Sequence, residues 1–244
     1  MEVKLFTLPK QVARALAGRI ACGEFADGLV PSEGQITVEF GVSRAVAREA
    51  LKILSSLDMV DIAQGRRVTL RKAAEWDYMN PLLIDWLPSH QVRQLLAELH
   101  HARLILEPAI AAQAAKSLTA ENLNSLCNTV EAMAASEHDQ DRYLELDLEF
   151  HMEICRATRN RILDRFMYSS RWWQSASRRI SNQAPQALPS ATVQHRVIYS
   201  ALAARDPERA EGAMREHLKA NTLLSKVGEA DALYEPTAPE QGTA

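Results

Sequence analysis

The stretch Pro31-Ser-Glu-Gly-Gln-Ile-Thr-Val-Glu-Phe-Gly-Val-Ser43-Arg44-Ala-Val-Ala-Arg48-Glu-Ala-Leu-Lys-Ile-Leu-Ser-Ser-Leu57 holds two helix starts separated by one stop. Ser32 and Gln35 form an S-x-x-Q capping box, the Phe40-Gly41 pair ends that helix, and Ser43 caps the next. Val46, Ala50, Leu54 and Leu57 supply a buried stripe for the second helix. Its first turns carry Arg44, Ala45, Ala47 and Arg48. Two capped helices joined by a tight turn, the second with a basic outer face, form a unit that reads the DNA major groove with the N-terminal residues of its second helix. Arg44 and Arg48 are four residues apart and share a face, from which either can donate to guanine or phosphate. Ala45 and Ala47 offer only apolar contact, for instance with a thymine methyl, and Lys52 extends the row toward the backbone.

Working outward, a first helix is expected from Pro9 to Cys22, with Thr7 near its cap, an apolar row at Val12, Leu16 and Ile20, and Gly23 as its stop. Val60-Asp-Ile-Ala and Val68-Thr-Leu read as strands of a hairpin whose basic tip is Gln64-Gly65-Arg66-Arg67, the wing of a winged helix-turn-helix. Residues 1–72 are therefore taken as one domain and 73–90 as a connector with a short helix near Pro81-Leu-Leu-Ile-Asp-Trp86. Helical periodicity then covers 91–117, 119–135, 139–157, 160–182, 190–204 and 207–226, with breaks at Ala184-Pro185 and Asp206-Pro207. Six helices on short connections imply an antiparallel bundle over 91–228. The tail, 229–244, has few apolar residues and is expected to be disordered. The fold class is mainly α: an N-terminal winged helix-turn-helix and a C-terminal all-helical bundle.

The net charge of −3 conceals an asymmetry. Residues 1–72 hold 11 Lys and Arg against 8 Asp and Glu, while the remainder holds 17 against 23. A polyanionic partner thus belongs to the N-terminal third. There is no apolar run of membrane-spanning length and no signal-peptide layout at the start, so the expected site of action is the cytoplasm. Cys22, Cys127 and Cys155 are too widely spaced for a zinc ribbon and odd in number for a disulfide framework, and read as small packing residues.

Inside the helical part, polar residues interrupt apolar faces. Asp147 and His151 fall on the side of Leu144, Leu148, Ile154 and Cys155, whereas Glu145, Glu149, Glu153 and Arg156 mark the solvent side. His195 shares a face with Ala191, Ile198 and Leu202, and His217 shares one with Ala210, Ala213, Met214 and Leu224. A buried carboxylate is costly unless paired or metal-bound. Three imidazoles and a carboxylate suit zinc or nickel and leave positions on an octahedral ion for a chelating acid, although a lone inward histidine is more often hydrogen-bonded core. Arg103, on the stripe of Leu99, Leu106 and Ile110, either binds an effector carboxylate or pairs with Glu107. Asn221, one turn after His217, is a further pocket candidate. Of the adjacent Trp172 and Trp173, only one can face the core centrally, and Arg178 and Arg179 read as solvated charges.

The run Pro-Ser-Glu, Phe-Gly-Val-Ser-Arg, Arg-Glu-Ala-Leu-Lys-x-Leu and the Gln-Gly-Arg wing resembles the winged helix-turn-helix of the GntR family of bacterial transcription regulators over residues 9–70. The resemblance implies DNA contacts at Arg44, Ala45, Arg48 and Gly65 with its neighbours Arg66 and Arg67. Gly34 departs from the pattern, because the family usually has arginine after Pro-Ser-Glu. Asp147, His151, His195 and His217 resemble the metal ligands of the family's FadR subgroup, and Arg103-x-x-x-Glu107-Pro108 resembles its first long helix, whose arginine faces the effector. The runs Trp76-Asp-Tyr-Met-Asn-Pro, Asp85-Trp86-Leu87 and Leu106-Glu-Pro-Ala-Ile110 resemble regulators of galactonate and related sugar-acid catabolism. The implied function is a homodimeric regulator, usually a repressor, that binds a palindromic operator in double-stranded DNA and is released by a small organic or sugar acid at a zinc or nickel ion. A metal-free sensor of acyl-thioesters and a metalloenzyme are the alternatives.

Overall fold

Both capping predictions are realised as hydrogen bonds in the computed structural model, which describes residues 7–63, 65–181 and 187–220. Ser32 Oγ accepts from Gln35 N (3.4 Å) while Gln35 Oε1 accepts from Ser32 N (2.8 Å), which starts α2 (Glu33–Phe40). Gly41 closes it at φ 62°, a left-handed conformation that only glycine adopts cheaply. Ser43 Oγ then accepts from Val46 N (3.3 Å) at the start of α3 (Arg44–Ser56). Before them runs α1 (Leu8–Ala21), which buries Val12, Leu16 and Ile20 and packs on α3. The wing is shorter than its apolar runs suggest, with β1 (Val60–Asp61) and β2 (Thr69–Leu70) antiparallel in the register Val60↔Leu70 and Asp61↔Thr69. Leu29 bridges to Thr69 on its other side.

The chain divides into two compact units between Val92 and Arg93. Residues 73–92 group with the first, held by backbone and side-chain bonds to it: Asp77 N donates to the Leu57 carbonyl (3.0 Å) and Gln91 Nε2 to that of Ala21 (2.8 Å). The expected short helix is α4 (Leu82–Trp86), with Leu83 and Trp86 buried.

All six expected long helices form: α5 (Ser89–Ser117), α6 (Ala120–Ala135), α7 (Gln140–Ala157), α8 (Arg161–Ser181), α9 (Ala187–Ala203) and α10 (Pro207–Ala220). Helix α7 packs against α6 and α8, and α9 against α6 and α10. Their common core includes Ala111, Leu126, Tyr143, Phe150, Ile198 and Met214. Pro108 lies inside α5, where it has no N–H to offer the carbonyl of Leu104 four residues back. Arg215 from α10 donates to that carbonyl (3.4 Å), so the break in one helix becomes a tie to another. Gln64, the Ala184-Pro185 break, Asn221, the expected last turn to residue 226 and the tail 229–244 lie outside the described residues.

Candidate functional site

Four residues from three helices converge in the second unit. Asp147 and His151 come from α7, one turn apart as their spacing requires, His195 from α9 and His217 from α10. One ligand atom from each lies within 4.8 Å of all the others, and all four residues are buried. The ring centroids of His195 and His217 are 4.4 Å apart, and those of His151 lie 5.6 and 5.3 Å from them.

The hydrogen bonds around the rings decide which nitrogens face inward. His195 Nδ1 lies 2.7 Å from the Ala191 carbonyl, an acceptor only, so that nitrogen carries the proton. His217 Nδ1 is likewise 3.1 Å from Gln194 Oε1. Burial drives both imidazoles well below their ordinary pKa, with the His151 ring adding to the effect on His195 and the His195 ring to that on His217. A neutral His195 protonated on Nδ1 then turns the bare lone pair of Nε2 toward Asp147 Oδ1, 3.1 Å away. Two acceptors this close, with no proton between them, repel unless a cation lies at their focus. His151 Nε2 and His195 Nε2 are among the buried atoms that no hydrogen bond satisfies. The donor set therefore fits a divalent ion that accepts nitrogen and oxygen ligands.

Outer groups support the cluster. Glu107 Oε2 lies 2.6 Å from His151 Nδ1, off the line of a hydrogen bond, and Arg103 Nε donates to Glu107 Oε1 (2.5 Å). Burial alone would raise the Glu107 pKa, but Arg103 and His151 outweigh it and hold the carboxyl below its ordinary value. The Arg103 guanidinium thus pairs with Glu107, as their spacing allows, and the pair is buried beside His151. Tyr143 backs the centre with its hydroxyl 3.2 Å from Thr192 Oγ1, and burial pushes its pKa up to about 12.

Two charged residues of the helical unit contradict the sequence reading. Arg178, expected in solvent, is buried, and its Nε pairs with Asp147 Oδ2. The signal was present: Met167, Ser170, Trp173, Gln174, Ser177 and Arg178 recur at helical spacing and are all buried, while Trp172 faces out. Nothing is described of the Arg179 side chain. Glu153, expected on the solvent side, is buried and accepts from Ser125 Oγ (2.9 Å), because α6 packs over that turn of α7. Cys155 is buried as a packing residue, whereas Cys22 is exposed.

On the first unit, Arg44, Ala45 and Arg48 lie on the exposed face of α3, and Gly65, Arg66 and Arg67 on the exposed wing. Gly65 has φ 71°, which turns the hairpin tip. Ala47 is fully buried with Ala50, Leu51 and Leu54, so the expected base contact there is withdrawn: the stripe runs 47, 50, 51, 54. Arg48 is held by Glu33 of α2 through Nε to Oε1 (2.9 Å) and a terminal nitrogen to Oε2 (3.1 Å). A Cβ built on Gly34 meets nothing within 4 Å, so the missing arginine is not a steric exclusion.

A winged helix-turn-helix in one chain with a helical unit that encloses a polar centre has the parts of a DNA-binding transcription regulator. Comparison with known families agrees in both halves. Residues 8–70 match the profile of bacterial regulatory proteins of the gntR family, and residues 98–220 match the FCD domain. The chain belongs to the GntR family and carries an FCD domain. It is 22% identical to the galactonate operon transcriptional repressor of Escherichia coli K12, over 88% of this chain and 96% of that one. It is 30% identical to the Glc operon transcriptional activator of the same strain, over 78% and 77%. The solved structure of Lar, which controls expression of the Listeria monocytogenes agr system, shares the fold at a TM-score of 0.63 and 19% identity, over 92% of this chain and 99% of that one. These relatives are regulators, and the chain is a regulator rather than an enzyme. Among the described residues, no helix is long and apolar enough to cross a membrane.

Proposed function

We propose that the protein is a metal-dependent, acid-responsive repressor that acts in the cytoplasm as a homodimer on a palindromic operator. Asp147, His151, His195 and His217 are assigned as ligands of a zinc ion, with nickel the alternative. The observation that carries this reading is the pair of facing acceptors, His195 Nε2 and Asp147 Oδ1 at 3.1 Å. When bound, the ion supplies open coordination positions that carboxylate and hydroxyl oxygens of an acid can take.

Charge balance supports an anionic effector. Asp147 and Glu107 offset Arg103 and Arg178, and the histidines His195 and His217 are neutral. Adding a divalent ion leaves this buried centre with an excess of two positive charges, which an organic acid would offset. Arg103 is assigned to hold the effector carboxylate with the part of its fork that Glu107 does not take, and Asn221 remains a candidate from the sequence. A buried cluster of charged and ligating groups of this kind does not favour an acyl-thioester. Galactonate is the first acid to test, because the E. coli relative is named as the galactonate operon repressor. Tyr168 and Trp172 leave exposed aromatic surface on α8 for a second copy.

On the DNA side, Arg44 and Arg48 are assigned to base and phosphate contacts, Ala45 to apolar contact, and Gly65, Arg66 and Arg67 to the wing. Two copies would then read the two halves of a palindrome. Linkage connects the halves of the reading: an acid that binds the DNA-incompetent arrangement more tightly weakens operator binding by the same factor. The test is operator retardation with zinc-loaded protein across galactonate, other sugar acids, hydroxy acids and dicarboxylates. One acid is expected to release the operator, and to lose that effect in His195→Ala. A panel without any release would remove the sensing half.

A further inference from the structure

Helix α8 carries a buried polar ladder aimed at the centre. Ser170, Gln174 and Arg178 recur every four residues, share one face and are all buried. Ser170 Oγ donates to the Met167 carbonyl (3.0 Å), Gln174 Nε2 donates to Ser170 Oγ (2.9 Å), and Arg178 donates to Gln174 Oε1 (3.1 Å). Each link orients the next. The ladder ends at the Arg178 guanidinium, whose Nε pairs with Asp147 Oδ2.

We propose that Arg178 is a built-in competitor of the divalent ion for Asp147. This rests on Asp147 being a metal ligand, as proposed above. A guanidinium is fixed in charge and cannot be neutralised to make way for a second cation. Two cations held against one carboxylate in a core of low dielectric repel strongly, so Arg178 and the ion cannot both keep Asp147 at full strength. The apparent ion affinity is then reduced by the fraction of molecules in which Arg178 already holds the carboxylate. Gln174 keeps the displaced guanidinium tethered, which makes the exchange reversible and links ion occupancy to the C-terminal turns of α8.

The opposite role is physically distinct. A guanidinium that merely holds Asp147 in a ligating pose would strengthen ion binding, as outer partners of metal ligands generally do. Zinc titration of the chelator-stripped full-length chain, in competition with a chromophoric chelator, separates the two. Arg178→Gln is expected to bind zinc about tenfold more tightly than the wild type, the scale of one charged hydrogen bond. Equal or weaker binding overturns the proposal. Should Arg178→Gln fail to fold, Arg178→Lys keeps the charge but loses the fork, and about threefold tighter binding is expected. Equal or weaker binding by that variant overturns it in the same way. In the wild type, zinc is also expected to shift the Arg178 Nε–H resonance, assigned through its loss in Arg178→Lys. Wild-type protein that binds zinc no better than His195→Ala would remove the metal centre itself, and this inference with it.

Discussion

Arg44 and Arg48 stand in water on a helix backed by Ala47, Ala50, Leu51 and Leu54, whereas Asp147, His151, His195 and His217 stand in a core with almost no solvent. On the exposed helix a charge needs no partner in the protein. The ion pair of Arg48 with Glu33 is solvent-exposed, contributes little to stability, and leaves Arg48 able to exchange Glu33 for a phosphate. Among the described core residues the charges are paired, Arg103 with Glu107 and Arg178 with Asp147, and the neutral Tyr143 hydroxyl meets that of Thr192. The first surface is built to meet a polyanion and the second to balance a small number of charges within the protein. Substitutions should therefore separate the two functions cleanly.

The largest expected effect is on the buried side. His195→Ala removes one inward lone pair and the ring that fixes it to the Ala191 carbonyl. Zinc affinity measured calorimetrically should fall by more than about a hundredfold, beyond the range for an outer partner. Arg44→Ala should leave zinc binding untouched. Loss of zinc affinity in both variants would break the separation.

Arg44→Ala comes next in size. Loss of the base contact proposed for Arg44 should weaken operator binding by about 1–3 kcal/mol, read by fluorescence anisotropy at fixed salt, and relax preference at one base position. A variant that keeps its full preference would remove Arg44 from base reading.

Tyr143 gives the buried unit a dependence on alkaline pH. Its folded pKa is pushed up to about 12 by burial, against about 10 in an unfolded chain. Between these values the folded state holds a proton that the unfolded state has released, so stability is full below the lower value and is lost as pH rises toward the higher. The loss approaches about 3 kcal/mol. Tyr143→Phe should flatten the slope of unfolding free energy above about pH 10, at a cost of about 1 kcal/mol for the Thr192 contact. Parallel profiles for variant and wild type would mean that Tyr143 is solvated.

The same contrast explains what the sequence disclosed. Ser32 with Gln35 and Ser43 were legible because caps are local, and Asp147 with His151 because two polar groups one turn apart interrupted an apolar face. His195 and His217 followed by the same exception. Ala47 was misassigned because alanine suits either face, and only the full stripe through Leu51 and Leu54 fixes the phase. Arg178 was missed because the Arg178-Arg179 doublet resembles solvated charge, although the stripe from Met167 through Trp173 points to it. Glu153 depended on Ser125, twenty-eight residues away and on another helix, which no local pattern carries. Wing length and the partners of Glu107 are likewise tertiary facts.

The smallest expected effect sharpens the exposed side. Gly34 is exposed near the start of α2, and a Cβ there meets nothing within 4 Å. Arginine at this position would add one cation to a domain whose basic excess is small, and would replace a poor helix former by a good one. Gly34→Arg should tighten operator binding by up to about tenfold at low salt and steepen the salt dependence by about one phosphate contact. It should also stabilise the first unit by somewhat under about 1 kcal/mol. Gain of stability without any change in salt slope would mean that residue 34 faces away from the phosphates, and that the first unit relies on Arg44, Arg48 and the wing for its hold on DNA.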